Sequence, residues 1–206
     1  MTTTSTMTAN YYSVECISQH EIDPIKKSRF IAHLLPLTEP STLHRFLQQL
    51  TKEYANANHH CWAYHLFDNQ QIRFNDDGEP SGSAGKPILN HLQGNKLINA
   101  AIVVTRIFGG TKLGVGGLVR AYGQAASEVI KNSQLVTFTP TKKLSLTYQY
   151  RDTALIEQVL HTLKLTAIDS IFGNDITLHF DIALSQWDTT YQALLEMTQG
   201  RVIIHR

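Results

Sequence analysis

Two glycine-rich loops on either side of one apolar strand constrain this chain more than any other feature. The first loop reads DDGEPSGSAGKP over Asp76–Pro87, the strand reads AAIVVTRIF over Ala100–Phe108, and the second loop reads GGTKLGVGGLVRAYG over Gly109–Gly123. The strand is apolar enough to be buried on both faces of a sheet. Because each loop leads into a predicted helix, two helix N-termini lie near one sheet, and such termini bind phosphate readily.

The positive charge of the chain coincides with these loops. Residues 86–139 contain six Lys and Arg against one Glu, whereas residues 1–85 contain six against nine acids and residues 140–206 six against seven. A basic region around glycine-rich backbone is the expected footprint of a phosphate-bearing partner, although ordinary solvated lysines would give the same count. The residues that we predict to bind phosphate are Lys86, Arg106, Lys112, Arg120, Gly109, Gly110, Gly114, Gly116 and Gly117.

The first loop permits two chemical interpretations. Its residues are Asp76, Asp77, Gly78, Glu79, Pro80, Ser81, Gly82, Ser83, Ala84 and Gly85. The carboxylates could hold Mg²⁺ while backbone amides cradle a phosphate, or they could form turns and cap amides, as Asp and Ser do well. The second interpretation needs no catalysis and is favoured. Arg106 also has two interpretations of equal weight, a phosphate contact or an ion pair with Asp76 or Asp77 that holds the first loop.

The sequence contains no legible catalytic constellation. Ser81 and Ser83 lack the G-x-S-x-G turn of a nucleophile, and the second loop matches neither a Walker A motif nor the dinucleotide fingerprint. Cys61 follows His59 and His60 directly, but neighbours on a strand point to opposite faces of the sheet, which disfavours a metal site. We therefore predict no catalytic residue, no metal and no cofactor.

Composition indicates a cytoplasmic protein. The chain has two cysteines and a polar N-terminal stretch, MTTTSTMTAN, so neither a disulfide framework nor a signal peptide is expected. No stretch approaches the roughly 18 apolar residues of a membrane span. Because no exposed apolar stripe or heptad pattern is evident, we predict a monomer.

Hydrophobic periodicity divides the chain into a tail and two domains. We predict a disordered tail over residues 1–10, a first domain over residues 11–139 and a second domain over residues 140–206. The second domain follows the order β-α-β-β-α-β, which is typical of a ferredoxin-like α+β fold.

The first domain is predicted to begin with two strands and a helix. The strands cover Tyr11–Ile17 and Lys27–Leu37, and the helix covers Ser41–Tyr54 with Ser41 as its N-cap. A hairpin is predicted around Asp68-Asn69.

Four segments taken together resemble the IMPACT/YigZ family in its bacterial form. They are KKSRFIAHL at Lys26–Leu34, HHCWAY at His59–Tyr64, DDGEPSGSAGKP at Asp76–Pro87, and VVTRIFGGTKLGVGGLVRAYG at Val103–Gly123. The resemblance spans nearly the whole chain with the motifs in the family's order. One departure is Ile107, where the family usually has an aromatic residue.

The resemblance implies two α+β domains and an association with translation. The N-terminal domain would have a ribosomal protein S-five domain-2-like fold, as in domain IV of elongation factor G. The C-terminal domain would be ferredoxin-like, as in domain V of that factor. Eukaryotic members block a kinase of an initiation factor largely through an additional RWD domain. Because only a short polar tail precedes the first predicted strand, we do not expect that circuit here.

Three functions are consistent with these observations. The favoured one is a non-enzymatic, translation-associated regulator that binds RNA or the ribosome through the basic glycine-rich surface. The second is a phosphate- or nucleotide-binding enzyme that uses the loop over residues 76–87. The third is a protein-interaction module in which the glycine loops are architectural and the partner is a protein.

Overall fold

The computed structural model describes residues 11–68 and 70–205, which fall into two compact units, residues 11–138 and 139–205. The predicted tail over residues 1–10, Asn69 of the predicted hairpin, and Arg206 lie outside the described residues. None of the described helices combines the length and the apolar character needed to cross a membrane.

The 11–138 unit is an α+β domain. Its elements in chain order are β1 (Tyr11–Ser13), β2 (Ser18–Ile25), β3 (Ser28–Pro36), α1 (Pro40–Glu53), β4 (His59–His65), β5 (Ile72–Asn75), α2 (Gly85–Gly94), β6 (Ala100–Ile107), α3 (Val115–Lys131) and β7 (Val136–Phe138). Five strands form an antiparallel sheet in the order β2-β3-β6-β4-β5, and β1 pairs separately with β7. The sequence predicted a strand buried on both faces, and the central strand β6 is buried at every residue except Ile107.

Alternate residues of β6 contact helices on opposite faces of the sheet. Ala101 and Val103 belong to a core that includes buried residues of α1. Ile102 and Val104 belong to the larger core, which includes buried residues of α2 and α3. Arg106 continues the alternation of Ile102 and Val104, so it lies on the face that α2 and α3 cover. That position places a buried guanidinium between the two glycine-rich loops.

Two local predictions in this unit were wrong. The strand predicted over Tyr11–Ile17 ends at Ser13, and an unpredicted strand, β2, occupies the next stretch. β2 is an edge strand with a bulge and reads SQHEIDPI, so its polar residues and Pro24 hide the usual strand pattern. Ser41 does not cap α1, because Pro40 already occupies the first helical position and Ser41 Oγ instead donates to Glu39 Oε1 at 2.6 Å.

The 139–205 unit is the ferredoxin-like α+β domain that the sequence predicted. Its elements are β8 (Thr141–Tyr148), α4 (Thr153–Leu163), β9 (Asp169–Phe172), β10 (Ile176–Ala183), α5 (Trp187–Thr198) and β11 (Ile203–His205). The antiparallel sheet has the order β11-β8-β10-β9. Alternate residues of β8 and β10 are buried against α4 and α5, with Phe180 and Leu146 almost fully enclosed.

Candidate functional site

Asp76 organises the first glycine-rich loop from within. Its Oδ1 accepts hydrogen bonds from the amides of Ala84 at 3.0 Å and Gly85 at 2.8 Å, and its Oδ2 accepts from the amide of Gly82 at 2.8 Å. The amides of Ala84 and Gly85 lie at the beginning of α2, where the helix dipole favours negative charge, and Gly82 lies in the loop just before it. The anion position at this helix is therefore filled by the chain's own carboxylate, so a phosphate there would lose its donors and meet a like charge.

Asp77 ties the same loop to β4. Its Oδ2 accepts from the amide of His60 at 2.6 Å, and its carbonyl oxygen lies 2.7 Å from His59 Nδ1. The carbonyl makes Nδ1 the protonated ring nitrogen of His59, since only an N–H can donate to it. The turn-and-cap interpretation of the acids thus describes both Asp76 and Asp77.

Glu79 carries the remaining carboxylate of this loop and is buried. Its Oε1 accepts from Arg106 Nη1 at 2.5 Å and from the Tyr122 hydroxyl at 2.8 Å. Arg106 is therefore in an ion pair with the first loop, as one of its two interpretations had it, but the prediction that its partner is Asp76 or Asp77 was wrong. Those two carboxylates are turned toward backbone amides, which leaves Glu79 as the acid that faces β6 and α3.

Arg106 lies in an enclosed position. It is only 5 % exposed, and its guanidinium carbon is 5.6 Å from the centre of the Phe30 ring and 5.5 Å from that of Phe108. Its Nε has no hydrogen-bond acceptor among the described residues. A buried donor without an acceptor costs about 1–3 kcal/mol, so the ion pair with Glu79 does not satisfy this guanidinium fully.

Cys61 and Tyr122 complete the buried network. Cys61 Sγ lies 3.0 Å from the Asp76 carbonyl oxygen and 3.3 Å from the Tyr122 hydroxyl. Burial raises the pKa of the Cys61 thiol and of the Tyr122 hydroxyl, so both keep their protons at neutral pH. His60 lies on the opposite face, with Nδ1 3.0 Å from Thr105 Oγ1, and burial lowers its pKa. Within the described ranges no group of three or more His, Cys, Asp and Glu side chains is arranged to hold a metal ion.

A cleft of about 460 Å³ opens beside this network. Its polar lining includes Asn58, His59, Glu79 and Arg106, and the lining also includes the apolar side chains of Phe108 and Leu113. Further lining residues come from the second loop and the first turn of α3, namely Lys112, Gly114, Val115 and Leu118. The cleft therefore lies between the first loop, the end of β6 and the N-terminus of α3.

The N-terminus of α3 differs from that of α2. Its N-cap is Gly114, whose φ of +73° is in the region that favours glycine, and no acidic residue lies in the first turn. Among the described residues no side chain accepts a hydrogen bond from the amides over residues 115–117. The positive end of this helix of 17 residues is therefore available to an external anion.

The structure separates the predicted phosphate-binding residues into groups. Lys112 and Arg120 are exposed at the second loop and on the first half of α3, and Lys112 lines the cleft. Lys86 is exposed on α2 with Nζ 5.9 Å from the centre of the Phe74 ring, so it lies beside the first loop and does not line the cleft. Of the four predicted basic residues, Arg106 and Lys112 line the cleft, and Lys86 and Arg120 do not.

The predicted glycines also differ in their surroundings. A Cβ at Gly109 would overlap the backbone of Lys27, so this glycine is required by the close approach of its own chain. A Cβ at Gly117 would lie 3.0 Å from Leu113 Cβ. By contrast, a Cβ added at Gly110, Gly114 or Gly116 would have nothing within 4 Å and would face open space. Gly116 has neither a positive φ nor a close neighbour, so the fold alone does not account for it.

The sequence did not single out Phe108, Leu113 or Val115 as site residues. Phe108 is 42 % exposed and Val115 is 57 % exposed, although both are large and apolar. The available signal was their position, because Phe108 lies directly before the second glycine-rich loop and Leu113 and Val115 lie within it.

A larger cavity of about 710 Å³ lies in the 139–205 unit. Its lining includes Asp152, Arg151 and Arg201. Arg151 Nε lies 3.7 Å from Asp152 Oδ2, and Arg201 Nη1 lies 3.8 Å from Asp152 Oδ1. Both arginines are more than half exposed, so these pairs are screened by solvent. None of the predicted phosphate-binding residues lines this cavity.

Comparison with known proteins gives matches along most of the chain. Residues 26–130 match the model of the Impact N-terminal domain, and residues 146–201 match a domain of unknown function, DUF1949. The chain is 34 % identical over 196 residues to IMPACT family member YvyE of Bacillus subtilis, covering 95 % of this chain and 90 % of that protein. It is 37 % identical over 142 residues to IMPACT family member YigZ of Escherichia coli, covering 68 % of this chain and 70 % of that protein.

A solved structure resembles the whole fold. It is described as "Crystal structure of an hypothetical protein", and it aligns with a TM-score of 0.68 at 29 % identity, covering 95 % of this chain and 96 % of that one. The fold is therefore shared with this solved structure over most of both chains.

Proposed function

The chain belongs to the IMPACT family, and we propose that it is a non-enzymatic, translation-associated regulator that binds RNA or the ribosome through the second glycine-rich loop. The association with translation follows from the family resemblance. The contact surface consists of Lys112, Arg120 and the first turn of α3. Backbone amides and basic side chains of this kind hold phosphates without reading sequence.

The open N-terminus of α3 is the observation that carries this proposal. Its first turn has no acidic residue and no side-chain cap, and two exposed basic residues, Lys112 and Arg120, accompany it. The fold leaves Gly116 without a structural requirement, and a glycine there lets a phosphate backbone approach the helix closely. Three features that favour an anion thus coincide at one surface.

The enzymatic alternative is less well supported by the same geometry. It requires Asp76, Asp77 or Glu79 to hold a metal or act as a base, together with free amides at the beginning of α2. All three carboxylates accept hydrogen bonds from the protein itself, and Asp76 occupies the amides in question.

The test is a salt series of binding to structured RNA, single-stranded RNA and purified ribosomes. We expect the double variant Lys112→Glu/Arg120→Glu to weaken binding and to reduce the slope of log affinity against log salt by about 1 for each phosphate that is no longer contacted. The matched control is Arg45→Glu/Lys52→Glu, which makes the same charge change at exposed positions of α1, on the other face of the sheet.

Two outcomes would contradict the proposal. Equal binding by the double variant and the wild-type protein would remove the second loop as the contact surface. If neither RNA nor ribosomes bind at physiological salt while a protein is retained in pull-downs, the chain is a protein-interaction module instead.

A further inference from the structure

We propose that the cleft beside the second loop binds one nucleotide unit, with its phosphate at the first turn of α3 and its base against Phe108. This inference rests on the proposed function, because it places one nucleotide of the phosphate-bearing partner in a defined pocket. It goes beyond that function by assigning a ligand to the cleft and a role to its apolar wall.

Two independent features of the cleft point to a phosphate. One is the uncapped N-terminus of α3, a helix of 17 residues, with the exposed Lys112 at its side. The other is Arg106, which lines the cleft, is 5 % exposed, and has an Nε–H without an acceptor among the described residues. Glu79 takes one hydrogen bond from Nη1, and the planar guanidinium has further donors of the kind that phosphate oxygens accept.

The apolar lining indicates that more than a phosphate binds. Phe108 is 42 % exposed, and the centre of its ring lies 5.5 Å from the guanidinium carbon of Arg106. Leu113 and Leu118 line the same cleft. A bare phosphate gains nothing from these side chains, whereas a base stacks on an aromatic ring and buries apolar surface against its neighbours.

The size of the cleft agrees with a ligand of this class. Its volume of about 460 Å³ lies within the range of roughly 300–1,000 Å³ that is usual for small-molecule sites. Two sources present the required chemistry, a free mononucleotide and the 5′-phosphorylated end of an RNA strand. Both carry a phosphomonoester joined to a nucleoside, and the experiment below separates them.

The first measurement is isothermal titration calorimetry with AMP and UMP, with adenosine and inorganic phosphate as the two halves of the ligand. We expect both mononucleotides to bind at least about tenfold more tightly than either half, because base stacking and phosphate contacts each contribute. Equal affinity for inorganic phosphate and AMP would overturn the base position against Phe108.

Variants at Phe108 test the stacking contact. We expect Phe108→Leu to weaken AMP binding about tenfold, since it keeps apolar volume and removes the ring, and Phe108→Tyr to bind as the wild type does. The control is Phe74→Leu, because Phe74 is 43 % exposed on β5 and does not line the cleft. Thermal unfolding of each variant identifies any that is misfolded, and Phe108→Tyr then remains as the informative variant. Loss of AMP binding in a folded Phe108→Tyr, or none in a folded Phe108→Leu, would overturn the proposal.

Short oligoribonucleotides separate the two sources and the two proposals. Tighter binding of a 5′-phosphorylated strand than of its 5′-hydroxyl form, abolished in Phe108→Leu, supports capture of an RNA end. Binding of mononucleotides with no preference between the strands supports a free nucleotide. RNA binding that depends on Lys112 and Arg120 but not on Phe108, without mononucleotide binding, would overturn the cleft assignment and leave the proposed function standing. Binding of an acidic peptide that AMP does not displace would also overturn it.

Discussion

The two glycine-rich loops are alike in sequence and differ in what their helices hold. At the first loop, Asp76 lies ahead of α2 and takes three backbone amides with its carboxylate. At the second loop, no acidic residue lies in the first turn of α3, and its N-cap Gly114 has no side chain to offer. The first helix N-terminus is therefore closed by the chain itself, and the second is open.

This contrast shows that glycine content alone does not identify an anion site. A loop of small residues before a helix produces donors in either case. Whether those donors remain available depends on a carboxylate at the right position in the loop. In this chain Asp76 occupies the helix amides that lie near Lys86. The helix amides near Lys112 and Arg120 therefore remain available to an anion.

Breaking the ion pair between Glu79 and Arg106 should have the largest effect on the free energy of unfolding. Glu79→Gln leaves Arg106 buried without a charged partner, and we expect a loss of about 3–5 kcal/mol in the free energy of unfolding. Urea denaturation, followed through the unfolding transition of the 11–138 unit, measures this loss in free energy. The matched control is Glu21→Gln, whose Arg29 partner at 2.7 Å is 48 % exposed, and which we expect to cost less than about 1 kcal/mol.

A double variant distinguishes loss of the ion pair from a packing defect at Glu79. Replacing both members, as Glu79→Leu with Arg106→Met, removes the uncompensated charge and should recover much of the lost stability. Equal losses in Glu79→Gln and Glu21→Gln would mean that the buried pair does not hold the first loop.

Opening the closed helix should cost less stability. Asp76→Asn removes the charge and replaces one accepting oxygen by an amino group, so we expect a loss of about 2 kcal/mol in unfolding free energy, measured by the same urea denaturation. Asp77→Asn is the control, since its carboxylate accepts from the amide of His60 alone among the described residues. If Asp76→Asn cost no more than Asp77→Asn, the cap on α2 would not be the element that distinguishes the loops.

A weaker but more selective change can be made at the open helix. Gly116→Ala should stabilise α3 by up to about 1 kcal/mol, because the position has an ordinary φ and open space. The same change should weaken RNA binding, since a methyl group would stand where the backbone is approached. Gly94→Ala, at the end of α2 with nothing within 4 Å, should stabilise without affecting binding. Unchanged RNA affinity in Gly116→Ala would show that nothing approaches the first turn of α3 closely.

Periodicity was sufficient to predict the architecture where burial is strong. The strand over residues 100–108 and the element order of the 139–205 unit followed from apolar spacing. The edge strand β2 was missed because only Ile22 of its residues is fully buried, so tertiary pairing rather than local pattern defines it.

The ion-pair partner of Arg106 could not be predicted from the sequence, for a different reason. Asp76, Asp77 and Glu79 lie within four positions of one another and are equivalent acceptors in sequence terms. Their directions are set by the backbone of the loop, in which Asp77 has a φ of +42° and Gly78 a φ of +84°. The cleft could not be predicted from the sequence either, because its lining comes from separate segments that only the fold brings together.

The contrast between the loops requires the phosphate to bind at the open helix and not at the closed one. Amide chemical shifts recorded by NMR during titration with a short oligoribonucleotide test this requirement, with sodium chloride at matched ionic strength as the reference. We expect saturable shifts of the amides over residues 112–117 and none beyond the salt effect at Gly82, Ala84 and Gly85. Saturable shifts at those three amides, with residues 112–117 unchanged, would show that the phosphate binds at the first loop instead.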